Sequence, residues 1–184
     1  MGKNHWPAVI LQAPLNILGA CALAACAAAP IDTRDIPENL RVPPNAALTQ
    51  QLHAVGVQIY RCTADKSDPA HFAWLLKAPE ASLSDHSGIE IGKHYAGPTW
   101  EARDGSKVVG EVAARASPDP SAVAWLLLNA KSTSGSGIFA NVRFVQRLRT
   151  AGGNAPRDGC SQASADSEVR VPYSAEYWFY ADKR

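Results

Sequence analysis

The sequence lacks an excess of charge of either sign. Its 184 residues include 18 Lys and Arg against 17 Asp and Glu, which gives a formal net charge of +1. A protein that binds nucleic acid through its phosphates needs a basic surface, so we expect no nucleic-acid partner. Hydrophobic residues make up 46% of the chain and charged residues 19%. This composition supports a folded core and excludes wholesale disorder.

Catalytic and cofactor-binding motifs are also missing. The chain has no His-Glu-x-x-His, Gly-x-Ser-x-Gly, Ser-x-x-Lys or phosphate-binding loop. It has no Cys-x-x-Cys pair that would indicate a metal site. We therefore expect no catalytic residue, no metal and no cofactor, and a binding protein rather than an enzyme.

The N-terminal region lacks an uninterrupted apolar run of the roughly 20 residues that a spanning helix needs, because Pro7 and Pro14 interrupt it. Lys3 precedes an uncharged stretch that ends in Leu23-Ala24-Ala25-Cys26. This ending resembles a bacterial lipobox, in which the cysteine thiol receives the lipid. We predict a lipoprotein-type signal peptide over residues 1–25 and lipidation at Cys26.

This prediction also gives a location. The chain is expected to be exported and held at a membrane by an N-terminal lipid. Ala27 follows Cys26, so an Asp retention signal is absent there, which favours the outer membrane facing the periplasm. The alternatives are a poorer lipobox ending at Cys21, and ordinary secretion with cleavage among residues 26–29.

Cysteine is scarce in the rest of the chain. Of four cysteines, only Cys62 and Cys160 remain once Cys21 is removed and Cys26 is lipidated. Export places this pair in an oxidising compartment, where it predicts a disulfide. The alternatives are a reactive thiol or a metal ligand.

Regular helical periodicity is missing as well. Pro30, Pro37, Pro43 and Pro44 indicate a tether over residues 26–45, followed by a single domain over residues 46–184. Residues 46–52 lack helix breakers and predict a short helical turn.

Beyond them the hydrophobic pattern has a period of two, and Asp104-Gly105 marks a hairpin turn. We predict an all-β domain, an antiparallel β-sandwich or barrel-like fold of about seven to nine short strands with few or no helices. The predicted strands lie near residues 55–62, 72–77, 99–102, 107–113, 122–130, 138–149 and 173–180.

Six motifs follow one another along this domain: GVQIYRC (56–62), HYAGPTWE (94–101), DGS (104–106), WLLL (125–128), TAGG (150–153) and YSAEY (173–177). In this order they resemble the exported bacterial and fungal family known as the domain of unknown function DUF3455. The resemblance covers about residues 54–182. It implies no activity or cofactor, and we transfer no catalytic residue from it. Some fungal relatives carry a malate dehydrogenase label, but the chain lacks the Gly-x-Gly-x-x-Gly motif of a dinucleotide fold.

One stretch concentrates aromatic and ionisable side chains around a Gly-Pro corner. An aromatic ring beside a carboxylate suits a sugar or aromatic ligand. If Trp100 and Glu101 share a surface, a turn or bulge at Gly97-Pro98 must interrupt the strand alternation. The alternative is structural: Trp100 in the core, Glu101 in an ion pair and Asp104 in the hairpin turn. The candidate ligand-binding residues are His94, Tyr95, Trp100, Glu101 and Asp104.

Three functions are compatible with these features. The first, which we favour, is an exported β-domain that binds a ligand or an envelope component without catalysis. The second is a cell-envelope hydrolase that uses His94 with Glu101 or Asp104. The third is a structural lipoprotein that acts through protein contacts.

Overall fold

The computed structural model describes residues 1–2 and 33–183, apart from the side chain of Arg34. Eight antiparallel strands pair in sequence order, and the last strand pairs with the first to close a barrel. The prediction of an all-β, antiparallel domain is confirmed, in its barrel form. The described residues contain three 3₁₀ turns and no α-helix. The strands are β1 (Ala46–Ala64), β2 (Phe72–Ser84), β3 (Glu90–Tyr95), β4 (Thr99–Ala102), β5 (Lys107–Ala116), β6 (Trp125–Ser134), β7 (Phe144–Gly152) and β8 (Glu168–Asp182).

Strand β8 shows how the alternation in the sequence builds the barrel. Tyr173, Tyr177 and Phe179 belong to the buried cluster that fills the interior. Trp178 and Tyr180 alternate with them and are also buried, although they lie on the other face of the strand. The outer face of β8 must therefore be covered by a second layer.

Part of that layer is the segment before β1, whose short 3₁₀ turns span Thr33–Asp35 and Glu38–Leu40. Ile36 and Leu40 are buried. The Gln146 side-chain amide donates a hydrogen bond to the Leu40 carbonyl, and the Tyr180 hydroxyl donates to the Gln146 side-chain oxygen at 2.7 Å. The C-terminal part of the predicted tether is thus packed against the barrel.

The predicted helical turn at residues 46–52 is wrong. Strand β1 begins at Ala46, which pairs with Asp182 at the end of β8. The barrel cannot close unless this segment offers its backbone groups to β8. Tertiary pairing therefore overrides the local preference of a segment without helix breakers.

The predicted hairpin at Asp104-Gly105 is confirmed. It joins β4 to β5, and Gly105 adopts a φ of +84° that a side chain would disfavour. The Asp104 carboxylate accepts hydrogen bonds from the backbone N–H and hydroxyl of Ser106 and from the Ile138 N–H. It thus fastens this turn to the β6–β7 connection.

The predicted disulfide between Cys62 and Cys160 is present, with an S–S distance of 2.05 Å and a sequence separation of 98. It ties the end of β1 to the connection between β7 and β8. Cys21 and Cys26, with the predicted cleavage site, lie outside the described residues. In the described part of the chain, no helix has the length and apolarity required to cross a membrane.

Candidate functional site

A cavity of about 420 Å³ opens at one end of the barrel. The connections β3–β4, β5–β6 and β7–β8, which share this end, also line it. An eight-stranded barrel is just wide enough for its side chains to fill it or for one small ligand. Here the interior contains both a packed hydrophobic core and, at one end, the open cavity. Each strand contributes at least one lining residue, in strand order Gln58, Leu76, His94, Trp100, Val112, Leu126, Arg147 and Tyr177.

Three rings separate the cavity from the packed core. The imidazole of His94 stacks on the Trp100 indole, with 4.5 Å between centroids and 11° between planes. Tyr177 lies across both, with its ring centroid 5.0 Å from that of His94 and 5.3 Å from that of Trp100. Trp100 and Tyr177 belong to the core cluster and line the cavity as well. Stacked and tilted rings of this kind form a rigid floor.

His94 is a neutral component of this floor. Burial lowers its pKa to about 3, and the charge of Arg147 acts in the same direction. A hydrogen bond to the Thr99 carbonyl opposes these effects but does not overcome them. Since a carbonyl only accepts, Nδ1 carries the proton and donates it across 2.9 Å. Nε2 is then an unprotonated acceptor.

Several buried polar groups around the cavity have no partner. Among the described residues, the Gln58 side-chain nitrogen, the Trp100 indole nitrogen and the Tyr177 hydroxyl make no hydrogen bond of good geometry. Each of these residues is only 1% exposed and lines the cavity. Burial raises the pKa of the Tyr177 hydroxyl, an effect that nearby Arg147 partly opposes, so the group stays protonated. All three can therefore donate a hydrogen bond.

The charged residues that line the cavity are all basic: Lys77, Arg115 and Arg147. Lys77 pairs with Glu168 at 2.7 Å. The half-buried Arg147 has no carboxylate partner in the described part of the chain. Its Nε and Nη2 donate to the Ala124 carbonyl, and its charge acts on the nearby Tyr177 hydroxyl. Arg115 is exposed at the rim. The cavity thus combines apolar walls with hydrogen-bond donors and positive charge.

Of the five residues that the sequence predicted as a site, the structure places two at the cavity. His94 and Trp100 meet inside the barrel, whereas Tyr95 and Glu101 lie on the outer face. The Tyr95 hydroxyl donates to Glu101 at 2.7 Å, which is the largest cause of the lowered pKa of that carboxyl. Lys93 and Lys107 also pair with Glu101.

Asp104 occupies the β4–β5 turn, where its carboxylate bonds to Ser106 and Ile138 and to none of the other four predicted site residues. The Ser106 hydroxyl is the largest cause of its lowered pKa. The turn at Gly97-Pro98 ends before β4, so Trp100 and Glu101 alternate on a regular strand and do not converge. Ligand binding by any of the five stays a prediction.

Sequence reasoning did not identify Gln58, Arg147 or Tyr177 as site residues. They come from β1, β7 and β8, and no local pattern connects them. Tyr177 had one usable signal, its place on the inward face of an alternating aromatic strand. Arg147 also had a usable signal, because it is a charged residue on the inward face of a strand.

Among the described residues, no cluster could bind a metal ion, and His94 has no carboxylate partner. These residues hold no group of three or more His, Cys, Asp or Glu side chains that could bind a metal ion. No described carboxylate hydrogen-bonds to His94, and its Nδ1 donates to the backbone carbonyl of Thr99. The hydrolase alternative therefore has no supporting contact at this position.

Comparison with known proteins identifies a family but no activity. Residues 43–181 match the family model described as "Protein of unknown function (DUF3455)". Searches of curated proteins and of solved structures each found no match. The match covers most of the chain and confirms the resemblance carried by its ordered motifs. The chain belongs to the DUF3455 family.

Proposed function

We propose that this protein binds a small molecule in the open end of its barrel and performs no chemistry on it. The observation that carries the proposal is the set of unpaired polar groups around the cavity. The Gln58 amide, the Trp100 indole and the Tyr177 hydroxyl are all buried and all border the same space.

An unsatisfied buried polar group costs about 1–3 kcal/mol, so three in one place form an energetically unfavourable arrangement. A ligand that accepts hydrogen bonds would remove part of that cost. Strain and unmet hydrogen bonds concentrate where a protein binds something. The cavity volume of about 420 Å³ also falls within the range of small-molecule sites.

A neutral fluorescent probe, N-phenyl-1-naphthylamine, tests the proposal because its emission rises in an apolar site. We expect the purified full chain to bind it saturably. Val123 lines the cavity and packs against the core cluster, so Val123→Phe should fill part of the space and weaken probe binding at least about tenfold.

Val55→Phe is the matched control, since Val55 lies exposed on β1 and outside the cavity. It should leave probe affinity unchanged. A wild-type protein that does not bind the probe would contradict the proposal. So would equal affinity of the two folded phenylalanine variants.

We also propose that the domain acts outside the cytoplasm, attached by a lipid at Cys26 to the outer membrane. The Cys62–Cys160 disulfide supports export, because such bonds persist in oxidising compartments. Labelling cells with a radioactive fatty acid tests the anchor. We expect label on the wild-type chain and none on Cys26→Ala, and equal labelling of the two would contradict it.

A further inference from the structure

We propose that the ligand is an amphiphilic monocarboxylate, whose carboxylate pairs with Arg147 inside the barrel while its apolar body lies along the cavity walls. The inference rests on the proposed function and names the chemical class of the ligand.

The guanidinium of Arg147 lines the cavity and is held in one orientation by a backbone carbonyl. Its Nε and Nη2 donate to the Ala124 carbonyl at 3.0 and 2.8 Å, which uses the two parallel N–H groups on one side. The remaining N–H groups of Nη1 and Nη2 form a second parallel pair at the end of the planar group. This pair matches the two oxygens of a carboxylate.

No described side chain supplies that carboxylate. Arg147 takes part in none of the ion pairs among the described residues, and the cavity lining contains no Asp or Glu. A half-buried cation without a counter-ion is costly unless something pairs with it. Arg147 lies near His94 and Tyr177, and its charge lowers the pKa of each of these groups.

The other polar groups favour an anion as well. The Gln58, Trp100 and Tyr177 groups without partners are all able to donate, and donors stabilise a negative charge. His94 adds no second positive charge because it is neutral. Lys77 is paired to Glu168, and Arg115 is exposed to solvent at the rim. Arg147 is therefore the half-buried cation of the lining, and its single charge matches that of one carboxylate.

The rest of the cavity is apolar. Val123, Leu126 and Leu128 form its wall, and Leu76 and Val112 stand at the rim with 56% and 38% of their surfaces exposed. Exposed apolar side chains around a cavity mouth fit a ligand with an apolar body.

Displacement of N-phenyl-1-naphthylamine by decanoate and by decanol tests the inference, since the two competitors share a ten-carbon chain and differ in charge. We expect decanoate to bind the wild-type chain at least about tenfold more tightly than decanol. Arg147→Met should remove this preference by weakening decanoate about 10- to 100-fold, the range for a charged hydrogen bond, and should leave decanol unchanged. Arg103→Met, an exposed arginine that pairs with Glu90, is the matched control and should keep the preference.

The outcomes separate the two proposals. If the probe and decanol bind but decanoate binds no better, this inference is wrong and the proposed function stands. If the wild-type chain does not bind the probe, the proposed function itself fails. If Arg147→Met does not fold, two other measurements decide. A wild-type chain that binds decanoate no more tightly than decanol overturns the inference. A preference for decanoate that persists in Arg147→Lys, which keeps the positive charge, supports it.

Discussion

His94 should make this protein less stable as the pH falls from 7 to 5. The imidazole is buried and neutral in the folded state, where its pKa is about 3, against 6.5 for the ordinary side chain. Between these values the unfolded chain binds a proton that the folded chain does not. Stability therefore rises with pH across this window and is lost on acidification.

The size of the effect follows from the two pKa values. One pKa unit corresponds to about 1.4 kcal/mol, and the unfolded imidazole is only partly protonated near pH 6.5. Integration from pH 7 to pH 5 gives a loss of about 2 kcal/mol in the free energy of unfolding. For a domain of this size, that corresponds to a fall of roughly 4–8 °C in Tm.

The assay is chemical denaturation of wild type and His94→Gln at a series of pH values between 7 and 5. Glutamine does not titrate, so the variant should lose about 2 kcal/mol of the pH dependence. At pH 7 it should also be less stable than wild type by about 1–3 kcal/mol, because the stack on Trp100 is lost. His86→Gln changes an exposed histidine in the β2–β3 turn and should keep the wild-type pH dependence.

Two results would refute this reasoning. The first is a wild-type free energy of unfolding that stays constant from pH 7 to pH 5. The second is a pH dependence of His94→Gln that equals that of wild type, which would assign the effect to other groups. The window stops at pH 5 because Glu101, Glu168 and other carboxyls with lowered pKa values lose stabilising charge below it.

Three further predictions concern the frame of the cavity. Replacing Cys62 and Cys160 together by serine should lower the free energy of unfolding by about 2–4 kcal/mol in denaturant titrations, and an unchanged value would contradict the role of the disulfide. Gly110→Ala places a Cβ 2.9 Å from the Trp100 ring, so calorimetry should show a loss of about 1–3 kcal/mol; a stabilised variant would show that the ring moves freely. Glu101→Gln should leave probe affinity as in wild type, and a weakened probe site would place Glu101 in it.

Much of the fold could be predicted because its signals are local. The Asp104-Gly105 turn and the aromatic alternation in residues 173–180 each depend on neighbours in sequence. The disulfide followed from the count of remaining cysteines. The start of β1 could not be predicted this way, because residues 46–52 become a strand only through pairing with the distant end of β8.

The second layer on the outside of the barrel was also hidden from the sequence. Prolines near residues 37–44 indicated a free tether, and no strand or α-helix forms there, only a short 3₁₀ turn. They do not prevent packing, and Leu40 is fully buried. Proline content therefore predicted the local conformation but not the burial of this segment.

The candidate site was also beyond the reach of local sequence patterns. Residues 94–104 are adjacent in sequence, but a strand sends neighbours to opposite faces, so His94 and Trp100 turn inward while Tyr95 and Glu101 turn outward. Closure of the barrel then brings Arg147 of β7 and Tyr177 of β8 to the inward pair from far along the chain. A binding site inside a barrel is assembled from one position on each of several strands. Clusters in sequence therefore overstate what one strand can contribute, and the inward-facing charge on a separate strand is the better signal to search for.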